Sequence, residues 1–491
     1  MQPTTAPSIK RTVDLVDRAH EDEFFTPQAS NSTLFHHTRT PTHNVVQEIV
    51  ELGYRGNAAW GQRITVNLRR SESGDIVQWL CLRLTPRSWL PSDVEESIRV
   101  GDWDYADTSG AWTWASSLAT QAIQRVEFEI GDTLLEAWGG EWMDVWSRIG
   151  MDVGRAATWD ADIYGQMPPW ALRDVGRPAW TATRPTEDGH VYCWLPLALF
   201  RHPRTGLPLL SIEEKTQEVR VHITLRPFAD VVRRRAVVRA TPCEVPLGST
   251  QVFLDVTGGT PIPWVRTLDV NVPGFEEVSV LAGVIHTDGA RRTSLMRMPQ
   301  ELLFEPVSHA QFDNPGMGVT GDGCVTVTMN LTLTTLNGPI REIVWFLRRK
   351  GVWAYAESTN YGALLEDALV ATATTPLTQR PLMTKARLRV DNATWREEDE
   401  VWWRMEYGLG KRGGVRAAGG MVYGFSFGEA ARWSPDSLQP AGTINGSKVD
   451  VRLDIDVDAS LAPEGWEVHV FGVGVNWLRF TSGQAGLLFS D

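Results

Sequence analysis

Residues 424 to 428 read GFSFG, the Gly-x-Ser-x-Gly spacing with which a sharp strand-to-helix turn exposes a serine nucleophile. Asp450 and His469 follow Ser426 in the chain order of a hydrolase triad. Such an elbow needs alternating βα units around it, and this chain has none, so Ser426 is read as a strand residue. Gly408, Gly410 and Gly413 satisfy G-x-G-x-x-G, but GVRAAGG follows and offers no good helix start on which a pyrophosphate could rest. Asp454, Asp456 and Asp458 have the spacing that opens a calcium loop. The residue after them is Ala459, where a calcium loop needs a glycine, and the three lie on one face of a strand pattern. A solvated or subunit-facing row of charge is the reading that fits. His36, His37 and His43 match no metal spacing. No cofactor is expected, and no catalytic or metal residues are assigned.

The elements that would have to position any such group are strands. Val449, Val451, Leu453, Ile455 and Val457 alternate with charged residues in VDVRLDIDVD, a strict period of two. The same alternation marks Ile64 to Leu68, Val126 to Ile130, Val219 to Leu225 and Val325 to Leu333, with further strands at Val77 to Leu84 and Ile340 to Leu347. Trp466 to Phe480 reads as one strand closing the chain. Beyond short turns no helical period is sustained, so the fold class is all-β in two comparable halves.

Composition excludes several classes. The net charge of −13 disfavours direct packaging of nucleic acid. Cys81, Cys193, Cys243 and Cys324 are too scattered for a metal site, and a disulfide framework is implausible at 491 residues. The N-terminus lacks an apolar core, so no secretory signal is expected, and the N-x-[ST] sequons at Asn31, Asn330, Asn392 and Asn445 are not expected to be glycosylated. No run is apolar enough to span a membrane. Trp is abundant, 22 against 8 Tyr. Trp103, Trp112, Trp114, Trp138 and Trp142 are therefore candidate interface anchors, with filling of each sandwich as the equal alternative.

Several ordered blocks resemble the major capsid proteins of nucleocytoplasmic large DNA viruses, of the algal-virus and iridovirus kind. The C-terminal block carries Tyr423, Ser426 and Phe427, then the turn Gln439, Pro440, Ala441 and Gly442. Asn445, Ser447 and Asp450 follow, and the block closes on Asn476, Leu478, Arg479, Ser482, Gly483, Gly486 and Leu487. Ala441 departs from the usual serine. Ile130, Gly131 and Asp132, then Gly140, Glu141, Trp142 and Met143, resemble the family's Ile-Gly-Gly-Gln and Gly-Glu-Trp-Leu segments. Leu207 to Leu210 and Val278 to Phe312 supply two more blocks.

The resemblance implies a double jelly roll: two tandem eight-stranded antiparallel sandwiches with long decorated loops. The expected layout is an N-terminal arm at 1–18, a first roll at 19–230, a linker at 231–246 around Arg233, Arg234 and Arg235, and a second roll at 247–491. It further implies a homotrimer forming a pseudo-hexagonal capsomer beside other capsomers in an icosahedral virion shell assembled in the host cytoplasm. Minor capsid and penton proteins and an internal membrane are the implied partners. A cytosolic β-sandwich module binding glycans, a hydrolase using Ser426, and a capsid-related scaffolding protein are the alternatives.

Overall fold

The computed structural model describes residues 45–87, 111–115, 117–150, 189–201, 205–235, 272–287, 289–316, 325–355, 357–363, 380–406, 421–428 and 442–489. All of these lie in one compact unit, Val45–Asp491. Alternation becomes burial where it was read. Val219–Leu225 buries Val219, Val221, Ile223 and Leu225 and leaves the residues between them half-buried. Its neighbours are Arg63–Asn67 and Ile123–Ile130, both antiparallel.

Two sandwiches result, with one topology. In the first, Val45–Leu52, Phe275–Thr287, Ile76–Pro86 and Val191–Trp194 form one sheet in that order, with Leu207–Pro208 added to Ile76–Pro86. Tyr54–Arg55, Arg63–Asn67, Val219–Leu225, Ile123–Ile130 and Thr133–Trp138 form the other. In the second, Val307–Asn314, Trp466–Gly474, Pro339–Arg349 and Val422–Ser426 form one sheet, with Ile444–Asn445 added to Pro339–Arg349. Thr326–Thr332, Val451–Asp458, Met383–Val390 and Ala393–Asp399 form the facing sheet. In both sandwiches the first strand pairs with the last, and the chain passes repeatedly from one sheet to the other. This is the jelly-roll path.

Several expectations change. Phe275–Thr287, placed by sequence in the second half, hydrogen-bonds between Val45–Leu52 and Ile76–Pro86 and completes the first sandwich. The expected boundary at 231–246 thus falls before that sandwich's last strand. Its arginines stand in Val232–Arg235, paired with Ala111–Trp114, rather than in a linker. The expected closing strand is two strands. Trp466–Gly474 stays in the sandwich, whereas Asn476–Thr481 pairs with Gln300–Phe304 and Gln484–Leu487 in a separate sheet. Two helices among the described residues are longer than short turns, Gly140–Gly150 and Gly289–Arg297. The arm at 1–18, Trp103, Cys243, Cys324, the glycines at 408–413, Gln439 and Pro440 lie outside the described residues.

Candidate functional site: the seam between the sandwiches

The strand Trp466–Gly474 reads WEVHVFGVG, and its polar positions should face water. They do not: the strand is buried on both faces along nearly its whole length. Val468 and Val470 face their own sandwich, while Glu467, His469 and Phe471 alternate with them and point the other way. Pro339–Arg349 is continuous with this face, setting Arg348 beside Glu467 and Phe346 beside His469 in register. Against this face lies the helix Gly140–Gly150, which follows the strand Thr133–Trp138 of the first sandwich in sequence. Trp142 on that helix is fully buried, its ring 5.2 Å from that of Phe471.

Gly140 is where the helix meets the first sandwich. A Cβ there would collide with the carbonyl oxygens of Thr120 and Ile123, so only glycine permits the approach. Glu141, the next residue, accepts from Arg226 of the first sandwich at 3.2 Å and lies 3.6 Å from Arg348 of the second. Arg348 also bonds Glu467, donates to the Ser358 carbonyl at 2.7 Å and to His469 Nε2 at 3.2 Å, and lies over the Trp353 ring at 4.4 Å. Farther along the helix, Tyr361 donates to Asp144 at 2.6 Å, and Arg148 donates to the Thr359 carbonyl at 2.8 Å.

A second ionic group flanks Trp142. Arg201 pairs with Glu136 inside the first sandwich and donates to the Glu305 carbonyl, while Arg341 bridges Glu305 and Glu342. The Arg201 guanidinium stands 5.3 Å from the Trp142 ring.

The charges are held by one another. Burial alone would raise the pKa of Glu141, yet Arg226, Arg348 and His469 outweigh it and hold the group at about 2. Burial works the same way on Glu467, and His469, 3.7 Å away, together with Arg348 overcomes it, again to about 2. For Glu136 burial wins over Arg201, and its pKa is raised. Such groups persist in an interior only when paired and hydrogen-bonded. The arrangement can therefore lock two bodies together, and it offers no open reacting position.

The residues singled out by sequence divide accordingly. Ser426 donates to the Gly428 carbonyl at 3.2 Å. It stands across from Glu342, while His469 stands across from Phe346, on opposite sides of one strand and about 13 Å apart along it. These two do not form a catalytic pair. In the aspartate row Asp454 and Asp456 are buried and paired with arginines, Arg389 at 3.0 Å from Asp454 and Arg387 at 2.9 Å from Asp456, while half-exposed Asp458 accepts from the Ser460 amide. No group able to hold a metal ion occurs among the described residues. Trp114, Trp138 and Trp142 are buried in this chain's own core. Trp112 lies in the Ala111–Trp114 strand.

The C-terminal motif residues are turns and ties. Gly442 sits at φ +92° against Gly428. Asn445 folds back to accept from the Ser447 amide at 3.0 Å, and the Asp450 amide donates to Asp391 at 3.0 Å. Asn476 binds both the amide and the carbonyl of Phe489. Ser482 and Gly483, both at positive φ, make the two-residue turn between Asn476–Thr481 and Gln484–Leu487. The Gly483 carbonyl accepts from the Glu213 amide at 2.7 Å, and Gln217 bonds the Ala485 backbone, so this hairpin fastens the chain's end to the first sandwich. Arg479 pairs with Glu301 in the open.

Sequence reading missed Arg226, Arg348, Glu467 and His309. Their signal was present only as polar interruptions in strands otherwise rich in Val, Phe and Trp.

Residues 33–251 match the family described as the major capsid protein N-terminus. The major capsid protein of Pyramimonas orientalis virus is 23% identical over 466 residues, 91% of each chain. The resemblance to the major capsid proteins of large DNA viruses holds. That of Phaeocystis pouchetii virus is 24% identical over 67% of this chain and 56% of its own length. Among solved structures, PBCV-1 VP54, fitted into a reconstruction of the virophage Sputnik, superposes with a TM-score of 0.65 at 16% identity, covering 94% of this chain and all of that one. The Faustovirus major capsid protein gives 0.60 at 10% identity, covering 92% and 93%. The fold is the double jelly roll.

Proposed function

We propose that the chain is the structural subunit of an icosahedral shell of a large DNA virus, three copies making one pseudo-hexagonal capsomer. The observation that carries the reading is the seam. It fixes two sandwiches of the same topology in one body, so three chains would present six similar sandwiches around a ring, and a ring of six tiles a shell. Relatives named as major capsid proteins, one of them matched across nearly its whole length, support the same role. The role is structural rather than enzymatic, in keeping with charged groups that are spent on each other. In this proposal the first roll runs from about Val45 to Thr287 and the second from about Val307 onward. Neighbouring capsomers, minor capsid and penton proteins and an underlying membrane are the partners, the host cytoplasm is the place of assembly, and nucleic acid is not bound directly.

Light scattering on a sizing column tests the oligomer. The expected mass is three times the chain's 54.8 kDa. A stable monomer that fails to assemble when co-expressed with its virus's other shell proteins would sink the proposal.

A further inference from the structure

Where the sandwiches meet, two imidazoles touch, one buried and one half-buried. His309 Nε2 lies 2.9 Å from His469 Nδ1, and the rings stack with centroids 5.1 Å apart. His309 also stacks on Phe471 at 4.5 Å, and His469 on Phe346 at 4.8 Å. His469 is 2% exposed, and His309 is half-buried at its side.

The hydrogen bonds have a fixed direction. A guanidinium only donates, so at 3.2 Å from Arg348 the Nε2 of His469 must accept. Its proton is then on Nδ1, which donates to His309 Nε2, and His309 carries its own proton on Nδ1. The relay Arg348 to His469 to His309 is complete with both rings neutral. An added proton is poorly placed: on His309 it would face the His469 N–H, and on His469 it would face the guanidinium at 3.2 Å, with Glu467 Oε1 farther off at 3.7 Å.

The surrounding charges leave no slack either. From the first sandwich come Glu141 on the helix and Arg226 behind it, and from the second come Glu467 and Arg348. Two cations and two carboxylates balance. One proton on the imidazoles leaves a net positive charge in the interior, and two protons leave a double one, and such charge is costly to bury. Glu467, the nearest carboxylate, is already occupied by Arg348, by Trp353 at 3.0 Å and by Gln311 at 3.1 Å.

We propose that the His309–His469 pair is an acid-sensing joint, whose protonation breaks the relay and loosens the two sandwiches from each other. The inference does not rest on the capsid reading, since it concerns the single chain. The electrostatics agree with it. Burial first, then His469, pushes His309 from the ordinary 6.5 down to about 4, and burial likewise lowers His469 against the pull of Glu467. Groups with folded values below their unfolded ones contribute stability that is whole above about pH 6.5 and is lost as the pH falls toward 4.

The test is amide hydrogen exchange on the full chain at pH 7 and pH 5, corrected for the intrinsic dependence of exchange on pH, with the double variant His309→Phe/His469→Phe beside it. Phenylalanine keeps both stacks and cannot titrate. Protection of Trp466–Gly474 should fall by up to roughly thirtyfold per ring in the native chain and far less in the variant. An unchanged native chain, or an equal fall in both, overturns the proposal. Should the variant not fold, the C2-hydrogen exchange of the native histidines, read by mass spectrometry, decides instead. His309 and His469 must titrate well below the ordinary 6.5, and a midpoint near 6.5 for both overturns the proposal.

Discussion

The second sandwich carries arginine–carboxylate arrays on both of its sheets, and the two behave as different materials. On the sheet facing the first sandwich, Arg348 and Glu467 are 1% and 7% exposed, and each is tied to several partners. On the opposite sheet Lys385 and Arg387 share Glu397, with side chains 41%, 23% and 39% exposed. The residue types are the same and so is the strand geometry. What differs is the cost of removing one member. In water a lost partner is replaced by solvent. In the seam it is not, and the remaining charge keeps its full desolvation penalty. A buried array therefore specifies a single docking geometry, and an exposed one mainly keeps the surface soluble.

The strongest way to break this comparison is Arg348→Met. It strands Glu467 and takes one of two cations from Glu141, and it should cost about 3–5 kcal/mol, read as a shift in the urea unfolding midpoint. A loss below about 1 kcal/mol would place the seam in the same class as the outer sheet.

Acid should separate the arrays next. Glu141 and Glu467 have folded values of about 2 against an ordinary 4.5. Depressed carboxylates contribute stability that is present above about pH 4.5 and lost as the pH falls toward 2. The full difference is on the order of 3 kcal/mol for each group taken alone, at about 1.4 kcal/mol per unit, and less when the coupled pair is taken together. Unfolding free energies measured from pH 5 to pH 2 should fall steeply, and Arg348→Met should flatten that fall. A variant with the native slope would mean that the acid response comes from elsewhere.

Gly140→Ala probes the geometry without touching a charge. Its methyl group meets the Thr120 and Ile123 carbonyls, and backbone cannot yield as a side-chain tip does. The helix must shift, at a cost of about 1–3 kcal/mol, and Glu141 shifts with it. If stability drops while the acid slope is kept, helix position and ion pairing are separable.

The sandwiches were legible in the sequence because alternation reports which face of a strand is buried. Val451–Asp458 and Val219–Leu225 are found almost to the residue. The seam was not legible, for the reason that the comparison above makes plain. Glu467 and His469 alternate with valines just as Arg452 and Asp454 do with their own apolar neighbours, and a period of two cannot say whether the polar side meets water or another sandwich. Phe275–Thr287 was legible as a strand but not as the first sandwich's last one, since its partners lie some two hundred residues earlier. The family motifs pointed closer. Gly140, Glu141 and Trp142 mark the seam's contact with the helix, although Arg226 and Arg348, which complete it, belong to no motif that spacing alone would pick out.

Motif membership does not by itself mean a large energetic role, and Arg479 makes the smallest and sharpest test of that. It belongs to the C-terminal run with Asn476 and Gly483, yet its partner Glu301 is across an exposed pair of strands, with side chains 53% and 44% exposed. Arg479→Ala should cost only about 0.2–1 kcal/mol. The cost should shrink further in 1 M salt, where charges are screened within roughly 3 Å. Gly483, by contrast, sits at φ +78° with its carbonyl tied to Glu213, so its neighbour in the motif is fixed by backbone conformation rather than by charge. If Arg479→Ala left the isolated chain's unfolding midpoint in place but abolished its assembly, the exposed arginine would be a contact between copies. The line between the two arrays would then be drawn by the partner rather than by burial in one chain.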